Sequence, residues 1–157
     1  MAKQIPNIRF LLVGNGVWRE KYERLAKRIG CEKNFIFTGL VPPSEIPSLV
    51  GVMDTLVHLS QREGLPRALP QAMASAKPVV AFDCDGASEV CLNDRTGIII
   101  PPGDLAKLEK SLVRLAKDDA ERKTLGQAGQ AFVQDKFTVE RLVEAQYSLY
   151  QKLLAKR

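Results

Sequence analysis

Short apolar runs alternate with segments of helical period along most of this chain, and that alternation limits the possible folds more than any other feature. Five runs stand out: Ile8–Val13, Phe35–Phe37 continuing into Thr38-Gly39, Leu56–Leu59, Pro78–Phe82 and Gly97–Ile100. They are nearly continuous in hydrophobicity, as strands covered on both faces of a parallel sheet are. After the first run, Trp18, Tyr22, Leu25, Ala26 and Ile29 fall on one stripe of a helix that ends near Gly30. Glu20 with Arg24, and Glu23 with Lys27, pair four residues apart on its wet side. Past Pro101-Pro102 the strands stop. Leu105, Leu108, Leu112 and Leu115 repeat the helical pattern, with Asp104 placed as N-cap. A last helix from Thr138 carries Val139, Leu142, Val143, Tyr147, Tyr150, Leu153 and Leu154. The class is α/β: a three-layer, Rossmann-like domain with a five-stranded parallel sheet and a C-terminal helical tail. Residues 1–103 form the α/β core and 104–157 the tail of a single domain.

A chain of 157 residues is long enough to bury a core without disulfide or metal staples. Its 45% apolar and 26% charged residues exclude disorder and fibrous repeats. No apolar run approaches the length of a membrane span, and Met1–Pro6 lacks the apolar stretch of a secretory signal. Cys31, Cys84 and Cys91 form no C-x-x-C pair and leave one over, so they read as reduced thiols in a cytoplasmic compartment. The net charge of +5 is uneven. Residues 1–33 carry eight basic and three acidic side chains, residues 34–100 four and seven, and residues 101–157 eleven and eight. Basic ends around an acidic middle suit an anionic ligand or the inner face of an anionic membrane as a peripheral contact, although solvated helix faces explain them as well. Nucleic acid is not expected: there is no basic run, no aromatic-interleaved patch and no zinc spacing.

In a doubly wound sheet, ligands bind beyond the carboxyl ends of the strands. The residues just after each run are therefore the candidates. After the first comes Gly14-Asn15-Gly16, a turn opening into a helix, where the backbone can approach a phosphate closely. The third glycine of a dinucleotide fingerprint is missing, with Arg19 in its place. After the third run the chain reads Ser60-Gln61-Arg62-Glu63-Gly64-Leu65-Pro66, with Pro66 suited to a helix start. Pro70 delays regular helical hydrogen bonding, which leaves the amides of Gly64 and Leu65 free to face a ligand such as a diphosphate. Glu63 stands at the lip of the same pocket and can accept hydrogen bonds from sugar hydroxyls. Gln71 lies eight residues further on, within reach of the same ligand. Asp83-Cys84-Asp85 is formally a D-x-D metal motif but reads better as turn and cap chemistry, and no metal is expected. His58, the only histidine, reads as a strand-end residue.

Taken in order, these segments resemble the C-terminal, donor-binding domain of retaining GT-B glycosyltransferases of family 4. The resemblance rests on Leu12-Val13-Gly14-Asn15-Gly16, Phe35-x-Phe37-Thr38-Gly39, Ser60-x-x-Glu63-Gly64-Leu65-Pro66, Ala72-Met73-Ala74-x-x-Lys77-Pro78-Val79-Val80-Ala81, Gly86-x-x-Glu89-Val90 and Thr96-Gly97-Ile98-x-x-Pro101-Pro102-Gly103-Asp104. It implies a nucleotide-diphosphate sugar as donor substrate, a UDP- or GDP-sugar, with no cofactor. The diphosphate would lie against Gly14, Asn15 and Gly16 and the amides of Gly64 and Leu65. Thr38, Gly39 and Leu40 would border the base. Glu63 matches the first carboxylate of the family's E-x7-E pair, which contacts the transferred sugar and is the catalytic candidate. Gln71 stands where the second carboxylate, the ribose contact, usually is. Pro70 replaces a core aliphatic residue.

The resemblance also implies an N-terminal domain for a glycan or lipid acceptor, absent from these residues. With it goes an initial strand and loop bearing an arginine and a lysine for the diphosphate. The chain alone should therefore be inactive or very weak. Without that strand, the remaining five are expected to close into one sheet of order 2-1-3-4-5. The final helix, which in two-domain relatives runs back to the other domain, offers an apolar face for a homodimer. The alternative reading is a non-catalytic, flavodoxin-like nucleotide or phosphate module.

Overall fold

The computed structural model describes residues 1–155. Five strands form: β1 (Phe10–Val13), β2 (Phe35–Gly39), β3 (Leu56–His58), β4 (Val79–Phe82) and β5 (Gly97–Ile100). Seven α-helices intervene or follow: α1 (Arg19–Arg28), α2 (Ile46–Gly51), α3 (Ala68–Ala74), α4 (Ala87–Val90), α5 (Leu105–Lys117), α6 (Asp119–Gln134) and α7 (Val139–Leu154). All strand pairs are parallel, so helices connect them, as the alternation requires.

The core follows from the two-residue period of β4 and β5, both buried along their whole length. Val79, Ala81 and Ile99 project to one face, where Leu69, Ala72 and Met73 of α3, Ala87 and Val90 of α4, and Val133 of α6 meet them. Val80, Phe82, Ile98 and Ile100 project to the other, against Leu108 and Leu115 of α5 and Leu125 of α6. The two long tail helices thus close the sheet, and Gly126 lets α6 press against the backbone carbonyl of Ala76. Asp104, Asp118 and Thr138 cap α5, α6 and α7 by accepting hydrogen bonds from the amides of Lys107, Glu121 and Arg141.

The expected single sheet does not form. β1 and β2 make a two-stranded sheet, while β3, β4 and β5 make a separate three-stranded one in that order. The neighbours within each sheet are those anticipated, but β1 and β3 share no ladder. The runs Ile8–Val13 and Leu56–Leu59 shorten to four and three residues as strands. Val13, the last residue of β1, and Val57, the middle residue of β3, stay exposed although both are paired in their ladders.

The stripe on α1 is correspondingly half covered. Only Ala26 is buried, while Trp18, Tyr22, Leu25 and Ile29 remain exposed. Leu12, Tyr22, Leu25, Ala26, Ile29 and Phe35 line an open apolar crevice of about 170 Å³ between α1 and the β1–β2 pair. That pair is held by its own aromatic packing, with Phe10 stacked on Phe35 at 4.8 Å between ring centres. Helix α7 forms as the periodicity predicts, yet none of its residues is buried.

Candidate functional site

Within each sheet the strands run parallel, so the segments after β1 and β2 emerge at one end of the first sheet and those after β3 and β4 at one end of the second. Gly14 has φ +119° and Gly39 has φ +73°, conformations that glycine adopts without strain. The amide of Gly14 donates to the carbonyl of Gly39 at 3.0 Å, tying the two loops together. Thr38 fastens the same junction: its hydroxyl lies 3.4 Å from the amide of Gly14 and 2.9 Å from the carbonyl of Gly39. Gly39 is buried beneath the guanidinium of Arg19, which Glu23 holds by a 2.8 Å ion pair. Asn15 and Gly16 are exposed, and their amides donate to no protein acceptor among the described residues. Leu40 projects into solvent, 82% exposed.

The loop after β3 is pinned from three directions. The amide of Glu63 donates to Asp85 Oδ2 at 2.8 Å. The amide of Gly86 donates to the carbonyl of Gly64 at 2.9 Å. The thiol of Cys84 donates to the carbonyl of Ser60 at 2.9 Å. The turn after β4 therefore acts as a clamp for the loop that carries Glu63, Gly64 and Leu65. A side chain at Gly86 would not fit, since a Cβ there would stand 2.2 Å from the Gly64 oxygen. Asp85 takes the left-handed conformation, φ 43°, to turn its carboxylate onto the loop. The amides of Gly64 and Leu65 make no hydrogen bond within the described residues, which leaves two donors at the mouth of the site.

Glu63 itself is half-buried. Its Oε2 lies 2.7 Å from Nε2 of His58, the last residue of β3. Burial, and then the carboxylates of Asp85, Glu63 and Asp83, push the Cys84 thiol up, which favours the protonated form that donates to Ser60. Gln71 is exposed on α3 and lines an open crevice of about 320 Å³ with Pro43, Ile46, Pro47, Val50, Ala74 and Ser75. It thus borders the segment that follows β2.

The sequence-derived residues sort into two groups. Gly14, Thr38 and Gly39 are bonded directly to one another on the first sheet, with Asn15, Gly16 and Leu40 adjoining them. Glu63, Gly64 and Leu65 are clamped on the second sheet. Sequence reasoning passed over His58, Cys84, Asp85 and Gly86 as supports of Glu63. A signal existed for His58: a polar, titratable residue ends an apolar strand just before the loop that bears the key acid. For Asp85 none existed, because the partner lies 22 residues away along the chain. Among the described residues no group of three His, Cys, Asp or Glu side chains gathers to hold a metal. No helix there is long and apolar enough to cross a membrane.

Comparison with known proteins places this geometry in context. The family of glycosyl transferases group 1 matches residues 1–132. A 2-deoxystreptamine glucosyltransferase of Streptomyces kanamyceticus is 29% identical over 147 residues, 94% of this chain and 38% of that protein. The structure of sucrose-phosphate synthase from Thermosynechococcus elongatus superposes with TM-score 0.88 at 27% identity, over 98% of this chain and 40% of that one. Anabaena HepE in complex with UDP superposes with TM-score 0.85 at 25% identity, over 98% of this chain and 43% of that one. This chain spans about two fifths of the length of these proteins.

Proposed function

Because the chain belongs to the family of glycosyl transferases group 1, we propose that it is the nucleotide-sugar-binding half of a retaining glycosyltransferase, which moves a sugar from a UDP- or GDP-sugar to a glycan or lipid acceptor. The observation that carries this reading is the arrangement around Glu63. A half-buried carboxylate, held at one oxygen by His58 on a residue whose amide is held by Asp85, stands beside the amides of Gly64 and Leu65, which have no partner among the described residues. The amides suit the charged oxygens of a diphosphate, and the carboxylate suits the hydroxyls of the attached sugar. The UDP held by the HepE structure supports the same class of ligand.

In this reading the Gly14–Gly16 turn lets the diphosphate approach the backbone, and the Thr38–Leu40 segment borders the base. Gln71 serves the ribose through its amide, as donor and acceptor where a carboxylate would only accept. Catalysis rests on positioning the sugar and stabilising the leaving diphosphate electrostatically. The acceptor is bound by a part of the enzyme outside these residues, and transfer requires both parts.

Calorimetric titration of the chain with UDP-glucose, UDP, GDP-mannose and GDP tests the proposal. One sugar nucleotide should bind with measurable affinity, and Glu63→Ala should weaken it more than the matching nucleotide. If none of the four binds, or if Glu63→Ala leaves sugar nucleotide and nucleotide equally unchanged, the assignment is wrong.

A further inference from the structure

His58 is the only histidine of the chain, and it sits on a strand end, where its backbone is fixed by the ladder to Ala81. Its side chain is 19% exposed, and the Glu63 carboxylate it meets is 39% exposed. The carboxylate can only accept, so the hydrogen in the 2.7 Å contact belongs to Nε2 of the ring. Glu63 is thereby tied twice, its amide to Asp85 and its Oε2 to His58, while Oε1 accepts no hydrogen bond among the described residues. One oxygen is anchored and the other is left available.

We propose that His58 is a positioning residue for the donor sugar: its Nε2–H fixes one oxygen of Glu63 so that the other faces a hydroxyl of the sugar. This rests on Glu63 being the sugar contact. A glutamate at a loop has several freely rotating bonds, and a ligand that must order them loses affinity. A ring on a strand end, with few rotatable bonds, removes that loss before the ligand arrives. The bond to Glu63 is the one side-chain hydrogen bond of His58 among the described residues, so the action assigned to it is through Glu63.

The experiment compares wild type, His58→Leu and His58→Gln in binding UDP-glucose against UDP, with GDP-mannose against GDP as a parallel pair. The quantity read is the preference for the sugar nucleotide over its nucleotide. His58→Leu should lower that preference about tenfold while leaving the affinity for the nucleotide within about twofold. His58→Gln keeps an N–H donor and should restore part of it. Nitrogen NMR of the single imidazole, at mildly alkaline pH, should show the proton on Nε2, and Glu63→Gln should shift that resonance. A folded His58→Leu protein with undiminished preference overturns the proposal, as does equal weakening of nucleotide and sugar nucleotide, which marks a structural role. A ring with Nε2 unprotonated overturns it even if His58→Leu fails to fold. Wild type with no preference for either sugar nucleotide removes the donor reading itself, and this proposal with it.

Discussion

Replacing Gly86 by alanine should detach the Glu63–Leu65 loop from its clamp. The Cβ would stand 2.2 Å from the Gly64 carbonyl oxygen and 3.2 Å from Cδ1 of Leu65. Real contacts of that kind begin near 3.0 Å, so backbone must retreat from backbone by about 0.8 Å. The Gly86 amide now donates to that same oxygen at 2.9 Å, and such a retreat carries it out of hydrogen-bonding range. Overpacking of this kind costs about 1–3 kcal/mol, and the lost hydrogen bond adds about 1 kcal/mol. A total of about 2–4 kcal/mol lowers the melting temperature of a domain this size by roughly 4–16 °C. Urea titration followed by circular dichroism measures the stability, and calorimetry measures UDP-glucose binding, which should weaken as the loop moves. Gly64→Ala is the control, for nothing lies within 4 Å of a Cβ at that position. Its stability should stay within about 0.5 kcal/mol of wild type. Equal stability of the Gly86→Ala and Gly64→Ala proteins would show that the turn after β4 does not clamp the loop.

Three further expectations concern the rest of the molecule. Burial pushes the Cys91 thiol up to about 12, with Asp94 adding to the rise and Thr96 opposing it. The folded-state value thus lies above the unfolded one, so this contribution to stability is complete below pH about 9 and is lost as pH rises towards 12; Cys91→Ala should flatten that part of a urea-midpoint profile. Gly126→Ala, whose Cβ would stand 2.0 Å from the carbonyl of Ala76, should unfold at lower urea than Gly129→Ala, whose nearest neighbours are 3.3 Å away. Removing residues 139–157 takes away a helix with no buried residue, so calorimetric melting should shift by less than about 2 °C.

The parts of the fold that were legible in the sequence are those that hydrophobicity alone decides. Val79–Phe82 and Gly97–Ile100 are apolar throughout because both faces of β4 and β5 are covered, so their runs nearly match their strands. Lateral pairing is different. The runs Ile8–Val13 and Leu56–Leu59 look alike whether or not they share a ladder, because backbone hydrogen bonds leave no mark on residue type. The stripe of α1 misleads for a related reason, whereas the open face of α7 was expected. Periodicity reports that a face is apolar, and Tyr147 and Leu154 are equally apolar with or without a partner over them. In the site, Glu63 and the glycines were legible because loop chemistry demands those residue types locally. Asp85 and Gly86 were not, because their role depends on a turn distant in sequence that the fold brings against Gly64.

The division into two sheets bears directly on how a nucleotide sugar would be held. Neither buried cluster includes a residue of β1, β2 or α1; both are built on β4 and β5 and the helices packed on them, with Leu56 of β3 packed against one. The Gly14–Gly39 junction therefore belongs to the more weakly attached part, and the Glu63 loop to the firmly packed part. On the proposed function, the base contacts and the Gly14–Gly16 approach to the diphosphate fall on the first, and the Gly64 and Leu65 amides with the sugar contact on the second. A ligand spanning them binds only when both are in register, and anything that binds only the assembled form stabilises that form. On that reading the sugar contact sits on the part that carries the buried clusters and the base contacts on the part outside them. That division suits a sugar that must be held in one pose and a nucleotide that must be admitted and released. It also places His58 and the turn after β4 against the Glu63 residue proposed to meet the sugar.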